Sequence, residues 1–376
     1  MKLLTYISRL IVGPLFIFSG IIKANDPLGF SYKLEEYFVE FGMDWEWLLS
    51  MGVFLATFIC VLEVILGVAI IIGYKIKQVS ILSLLMMLFF TVLTGASAIY
   101  DLVRTCGCFG DAIPLTPEQS FVKDLILDVL VFIIFWQRKN IQPIFSSKIS
   151  TGIMLATILA SIYFPVYCLN NLPVWDFRPY KVGKNIPEQM ELPEGAKPDV
   201  YENIFYYKNK QTGKVEEFNE SNYPWDDENY EFVDRETKLI QKGDEAPIHD
   251  FNIVGPDGND YTEDILNDPD YIFVVVAYNL NKTDVAAYKK INNFAEQVYA
   301  DGKSIIGLSA SLPEVVEQFK NDNQVMIDFY TTDEVTLKTI IRSNPGILLL
   351  KQGTIVAKWH YNKLSDYKDV KNNYLK

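Results

Sequence analysis

Two cysteines one residue apart, Cys106-Gly107-Cys108, followed by Phe109-Gly110, are the sharpest chemical signal in this sequence. A disulfide closed across a single residue is strained, and strained disulfides are the more readily reduced ones. Flanking glycines give the backbone the freedom such a ring needs. Spacing alone leaves two readings open: a redox-active pair, or two cysteines free or separately paired in a tight turn. The remaining cysteines are Cys60 and Cys168. Cys60 sits in the middle of an apolar run, three residues before Glu63, about 20 Å from the nearer helix end at 1.5 Å per residue. A disulfide needs Cα atoms within about 7 Å. Cys60 is therefore expected to be a buried apolar filler. Cys168 closes another apolar run and is a candidate resolving thiol. Four cysteines are too few for a disulfide-stapled scaffold.

A second set of reactive groups consists of charges inside apolar runs: Arg9, Lys23, Glu63, Lys123, Asp124 and Asp128. Such residues are costly in a bilayer, so they face a bundle interior and find partners. Arg9 and Glu63 enter from the same side and are expected to meet. Lys23, Lys123, Asp124 and Asp128 fall at the opposite level, and Asp124 and Asp128, four residues apart, share a helix face. The cluster serves either to pair structurally or to line a proton or quinone path.

The elements that position these groups are membrane helices. About 20 apolar residues cross a bilayer. Five segments approach that length, near 4–22, 47–73, 79–99, 121–136 and 149–169; the fourth is interrupted by its charges. Lys2 with Arg9, Lys75 with Lys77, and Arg138, Lys139 and Lys148 fall on one side, which the positive-inside rule makes cytoplasmic. The acidic loop 25–46, the Cys-Gly-Cys loop and everything after residue 169 then lie on the other side. Lys23 follows the first segment directly, without a small-residue cleavage site, so an uncleaved anchor is expected. Aromatic residues at the span ends, among them Trp45, Trp47 and Trp136, fit interfacial anchoring. Hydrophobic residues make up 49% of the chain and the net charge is −13. Nucleic-acid surfaces are basic, so a nucleic-acid partner is not expected.

Residues 170–243 read as a polar connector containing one hairpin, Ile204–Lys208 with Val215–Phe218 around Gln211-Thr-Gly-Lys. From 244 to 376, strands alternate with helices. Strands are predicted at 272–277, 304–309, 325–330, 346–350 and 354–359, and helices at 283–299, 312–319 and 334–342, which implies a layered α/β sheet. This order resembles the thioredoxin fold of TlpA-like envelope proteins. Ala246-Pro-Ile-His-Asp-Phe resembles their first strand, and Asn344-Pro345 stands where that family has its cis-proline, making Pro345 the cis-proline candidate. The family's Cys-x-x-Cys would follow the strand at 272–277, but Tyr278-Asn-Leu-Asn-Lys stands there, and no cysteine follows Cys168. Without thiolates this domain cannot exchange disulfides itself. A recognition or docking role is expected instead.

The membrane half, 1–140, resembles the DoxX and MauE families. The likeness rests on Arg9-x-x-x-Gly13 with Phe18-Ser19-Gly20-x-x-Lys23, on Glu63 in an apolar run continuing to Gly67 and Gly73, and on Cys106-Gly-Cys-Phe-Gly. The fifth span, 141–169, lies outside that core. The resemblance implies a bacterial inner-membrane protein of the longer Bacteroidota type, with the terminal domain periplasmic. It also implies thiol- or quinone-linked work with a periplasmic or membrane protein partner. MauE is associated with maturation of a disulfide-rich partner, and DoxX-type subunits with thiosulfate and quinone chemistry. Two functions follow. In one, Cys106 and Cys108 carry out thiol–disulfide or electron transfer, with a quinone as the cofactor and the terminal domain docking a partner. In the other, the chain is a non-enzymatic anchor in which the pair is a structural clip.

Overall fold

The computed structural model describes residues 2–100, 103, 107, 109–193, 195–241 and 243–375. Cys106 and Cys108 lie outside these residues. The membrane half is built from α1 (Lys2–Asn25), α2 (Pro27–Glu40), α3 (Glu46–Ser50), α4 (Gly52–Ile72), α5 (Ile76–Tyr100), α6 (Pro117–Gln137) and α7 (Ser147–Asn171). By length and composition α1, α4, α5 and α7 suffice to cross a bilayer. Helix α6 matches α4 in length at 21 residues, but Glu118, Lys123, Asp124 and Asp128 set it apart. The fold is therefore a helical membrane bundle of four to five apolar helices.

Apolar residues of α1, α4, α5, α6 and α7 form its core, with Val12, Cys60, Ile70, Val131 and Met154 among them. Cys60 is fully buried, as its position implies. Helices α1 and α4 approach backbone to backbone. A Cβ added at Gly67 would lie 2.7 Å from the Gly13 carbonyl, so only small residues fit this crossing.

The stretch 25–46, expected to be an acidic loop, is mostly helix α2. Asp26 caps it by accepting the Gly29 N–H at 2.9 Å, and Pro27 occupies the first turn. Phe30, Leu34 and Tyr37 are buried on one face. The Asp-Pro start and the i, i+4, i+7 spacing were present in the sequence, but the acidic residues on the other face masked them.

Residues 185–251 form one compact unit, and 1–184 with 252–376 form another. The smaller unit holds α8 (Ile186–Met190) and a sheet of β1 (Val200–Asn209), β2 (Val215–Phe218) and β3 (Tyr230–Gln241), in the order β2-β1-β3. The expected hairpin is present, with Phe205 opposite Phe218 and Lys208 opposite Val215. Strand β3 corrects the reading of the remainder as irregular. It pairs antiparallel with β1, and Tyr207 packs against both Phe218 and Phe232 at ring distances of 6.0 and 5.6 Å. Its mixed charges and exposed positions gave no clean alternation to read.

The terminal domain contains α9 (Thr262–Leu266), β4 (Tyr271–Val276), α10 (Val285–Ala300), β5 (Ser304–Ser309), α11 (Pro313–Asn323), β6 (Asp328–Thr331), α12 (Glu334–Ile340), β7 (Gly346–Lys351), β8 (Thr354–His360) and α13 (Tyr367–Tyr374). The sheet order is β6-β5-β4-β7-β8; β4, β5 and β6 run parallel, and β7 and β8 return antiparallel. The Asn344–Pro345 bond is cis. This is the thioredoxin-like arrangement the element order implied. Phe273, Val275, Leu349 and Ile355 are almost fully buried, because helices cover both sides of the sheet. Two expectations need correction. Residues 246–251 form no strand, and the bridging residue is Val254, opposite Asp260 and Thr331. Helix α13 was not foreseen; it buries Tyr367 and Val370.

Candidate functional site

Arg9 does not meet Glu63. Its Nε and Nη2 donate to the carbonyls of Ile70 and Ile71 at 3.0 and 2.7 Å. The last carbonyls of α4 lack helical partners, and a guanidinium one helix away supplies them. Glu63 instead accepts from Lys23 Nζ at 2.9 Å on both oxygens and from Ser19 Oγ at 2.9 Å. Both charges are buried, at 3% and 4% exposure. Ser19, Gly20 and Lys23 lie within one turn of α1, and the absent side chain of Gly20 lets α4 bring Glu63 close.

Asp124 and Asp128 do share a face of α6, turned toward α5. Thr94 donates to Asp124 at 3.0 Å and Thr91 to Asp128 at 2.7 Å, while Lys123 pairs with Asp124 at 2.8 Å. Lys23 pairs with Glu63 rather than with these aspartates. The two ion pairs nevertheless converge, because Lys23, Glu63, Lys123 and Asp124 line one cavity of about 20 Å³ beside Phe109. That is room for a single water with several polar partners.

At the end of the bundle nearest the thioredoxin-like domain, α2 meets the edge that carries the cis-proline. Arg342, three residues before Pro345, donates through Nε to both Asp26 oxygens at 3.0 and 2.8 Å, and through Nη1 to the Lys338 carbonyl. Its Nη2 lies 3.8 Å from Asp111 Oδ2. A Cβ at residue 29 would come within 2.6 Å of Nη2, so Gly29 permits this approach. Burial works against the Asp26 carboxylate, yet Arg342, with Arg178 behind it, holds it below the usual carboxylate range. Burial likewise works against the Arg342 guanidinium, and Asp26 more than offsets it. Tyr278, which stands where the thioredoxin cysteines would follow β4, receives a 3.3 Å hydrogen bond from Tyr32 of α2. Lys338 sits over both rings, 4.7 and 5.4 Å from their centres. Asp26, Tyr32 and Arg342 were not singled out from sequence, since nothing local says that residues over 300 positions apart will meet.

The segment following α7 is tied to the same domain. Asp176 accepts from Arg178 Nε at 2.7 Å and from Lys358 Nζ at 3.1 Å, and Lys358 also donates to the Tyr180 carbonyl at 2.8 Å. Burial, and then Arg178, push the Lys358 ammonium down to about 7; Asp176 pulls the other way but is shared with Arg178. Asp176 itself is held at about 2 by the two cations, against the effect of burial. The signs of the two effects differ. Lys358 favours folding increasingly as pH rises from about 7 toward its unfolded value near 10.4, because only the unfolded state then holds the proton. Asp176 contributes above about 4, and that contribution is lost as pH falls through 2. Between pH 7 and 10, wild type is expected to gain unfolding stability relative to Lys358→Met. Parallel denaturation curves across that window would refute the assignment.

Of the cysteines, Cys168 is buried at 2% exposure in the last turn of α7, which does not suit a thiol that must reach a partner. Cys106 and Cys108 lie outside the described residues, but Gly107 between them is described. It lines a cavity of about 100 Å³ together with Lys23, Asp26, Asp111, Arg178 and Arg342. The cavity lies between the bundle end and the thioredoxin-like domain.

Residues 1–137 match the family described as methylamine utilisation protein MauE. Residues 201–242, which hold the three-stranded sheet, match a domain of unknown function (DUF8463). Protein TlpB of Flavobacterium psychrophilum is 26% identical over 178 residues, 42% of this chain, and the match spans 43% of that relative's length. Among solved structures, the thioredoxin domain of a thiol-disulfide oxidoreductase from Bacteroides vulgatus is 17% identical, covering 32% of this chain and 90% of that one at a TM-score of 0.27. A thiol:disulfide interchange protein from Bacteroides sp. is 16% identical, covering 34% and 86% at the same TM-score. Residues 1–137 of this chain are thus similar to the MauE family, and they are joined to a thioredoxin-like domain that carries no cysteine.

Proposed function

We propose that this is a redox protein of the bacterial inner membrane, in which Cys106 and Cys108 carry out thiol–disulfide or electron transfer on the periplasmic side. The observation that carries this reading is the position of Gly107. The residue between the two cysteines lines the cavity that Lys23 and Arg342 also line. Cations beside a thiol favour the thiolate, which is the reactive form. The cytoplasmic side is assigned from Lys2, Arg9, Lys75, Lys77, Arg138, Lys139 and Lys148, which flank the opposite ends of the spans.

A quinone is the electron partner this reading favours. Between α1 and α6 runs an open groove of about 530 Å³, lined by Ile11, Leu15, Val122, Ile126 and Leu130 with Lys123 beside it. Its apolar walls fit a prenylated ring, and Leu15, Lys123 and Leu127 separate it from the cavity holding Glu63 and Asp124. When bound, a quinone supplies or accepts the two electrons and two protons that distinguish a dithiol from a disulfide. The thioredoxin-like domain covers the bundle end with its cis-proline edge and leaves its other surfaces to a protein partner.

The test is the redox state of Cys106 and Cys108 in native membranes, followed by differential alkylation over a glutathione series. Reversible titration between about −120 and −270 mV, the span of known exchange proteins, is expected. Cys106→Ser is expected to abolish turnover and to trap a mixed disulfide through Cys108. A pair that never titrates would overturn the redox reading. A second reading has one observation in its favour: the edge where a thioredoxin engages its substrate is occupied by Tyr32 and Asp26. The chain would then be an envelope anchor with a structural clip, and Cys106→Ser would only lower stability.

A further inference from the structure

The cavity beside Gly107 has two buried arginines on its wall, and each keeps part of its guanidinium unused. Arg342 spends Nε on Asp26 and Nη1 on the Lys338 carbonyl. Arg178 spends Nε on Asp176 and Nη1 on the Thr339 carbonyl at 3.1 Å. Among the described residues, neither Nη2 has a hydrogen-bond acceptor, although the side chains are 7% and 4% exposed. Neither Nη2 is sealed from water, so each is open to a ligand's oxygen. Besides Asp26, which pairs with Nε, the Asp111 carboxylate lies 3.8 Å from Arg342 Nη2, too far for a hydrogen bond and half exposed. The wall also carries Lys23, Asn25, Asp26 and Lys33, and its apolar part is made by residues such as Phe30, Leu115, Pro173 and Phe177.

We infer that this cavity is a binding site for a small carboxylate with an apolar body, its oxygens taken by Arg342 and Arg178 and its carbon chain by the aromatic and proline wall. A volume of about 100 Å³ is roughly that of three waters of liquid, which suits an acid of a few carbons. A guanidinium offers a carboxylate paired, charge-assisted hydrogen bonds, the strong kind. The apolar wall distinguishes such a ligand from an inorganic anion, which is polar on every side. Asp111 acts as an internal competitor that the ligand displaces. The site is a property of the described residues and stands whether or not the cysteine pair turns over.

The experiment titrates the purified full-length protein in nanodiscs with propionate, sulfate and 1-propanol by calorimetry. Saturable binding of propionate is expected, with sulfate and 1-propanol each at least about tenfold weaker, a difference of 1.4 kcal/mol. Arg342→Gln and Arg178→Gln should each weaken propionate about tenfold or more, while Arg342→Lys retains part of the affinity. Asp111→Asn, at an exposed position that does not threaten folding, should tighten it several-fold. Absence of saturable binding by wild type and Asp111→Asn alike, sulfate binding as tightly as propionate, or propionate affinity unchanged in Arg342→Gln would each overturn the assignment.

Discussion

Glu63→Leu is expected to destabilise the bundle by about 3–5 kcal/mol, the cost of leaving one member of a buried ion pair without its partner. Lys23 has no solvent to turn to: its ammonium is bound by both Glu63 oxygens and sits over the rings of Phe90 and Phe30 at 4.5 and 5.3 Å. Ser19 loses its acceptor at the same time. Adding Lys23→Met should restore most of the loss, since replacing both members of a buried pair by apolar side chains is often neutral. Unfolding in a graded detergent series would measure this. If the single variant is as stable as wild type, the pair does not fasten α1 to α4. If the double variant remains as unstable as the single one, the loss came from packing and not from the stranded charge.

Asp26→Ala is expected to release the thioredoxin-like domain from α2, for a loss of about 3–5 kcal/mol at the Arg342 contact and about 1 kcal/mol at the helix cap. One carboxylate performs both tasks, capping Gly29 and pairing with Arg342. Asp26→Asn separates them, because asparagine caps a helix nearly as well but carries no charge. Hydrogen exchange should therefore show α2 fraying only in the alanine variant, while the segment around Arg342 gains exchange in both. Unchanged protection around Arg342 in Asp26→Asn would mean that the domain is held by other contacts, with the Asp176 cluster the foremost alternative.

The match to TlpB spans less than half of either chain. The thioredoxin-like domain holds no cysteine. Tyr278 replaces the dithiol, and its hydroxyl is engaged by Tyr32, whose own phenol is pushed upward by burial and by Tyr278 beside it. A surface that in a thioredoxin would receive substrates here receives the chain's own membrane half.

The membrane helices were legible in the sequence, because long apolar runs form helices in a bilayer, where each helix satisfies its own backbone. The sequence determined the order of strands and helices in the terminal domain, since short β-branched and aliphatic runs separated by amphipathic stretches are local patterns. It also determined that this domain cannot exchange disulfides, a matter of composition. It made Asp124 and Asp128 neighbours on one helix face, which depends only on helical period. Which charges pair was set by the packing of the folded helices. Arg9 and Glu63 share a level by residue count, yet Arg9 finds the free carbonyls ending α4 and Glu63 finds Lys23. Counting along a helix gives depth, not azimuth, and azimuth is set by how α1 and α4 close on their glycines. The meeting of Asp26 with Arg342 was likewise beyond the sequence, for a contact across the length of the chain exists only once both domains have folded and docked.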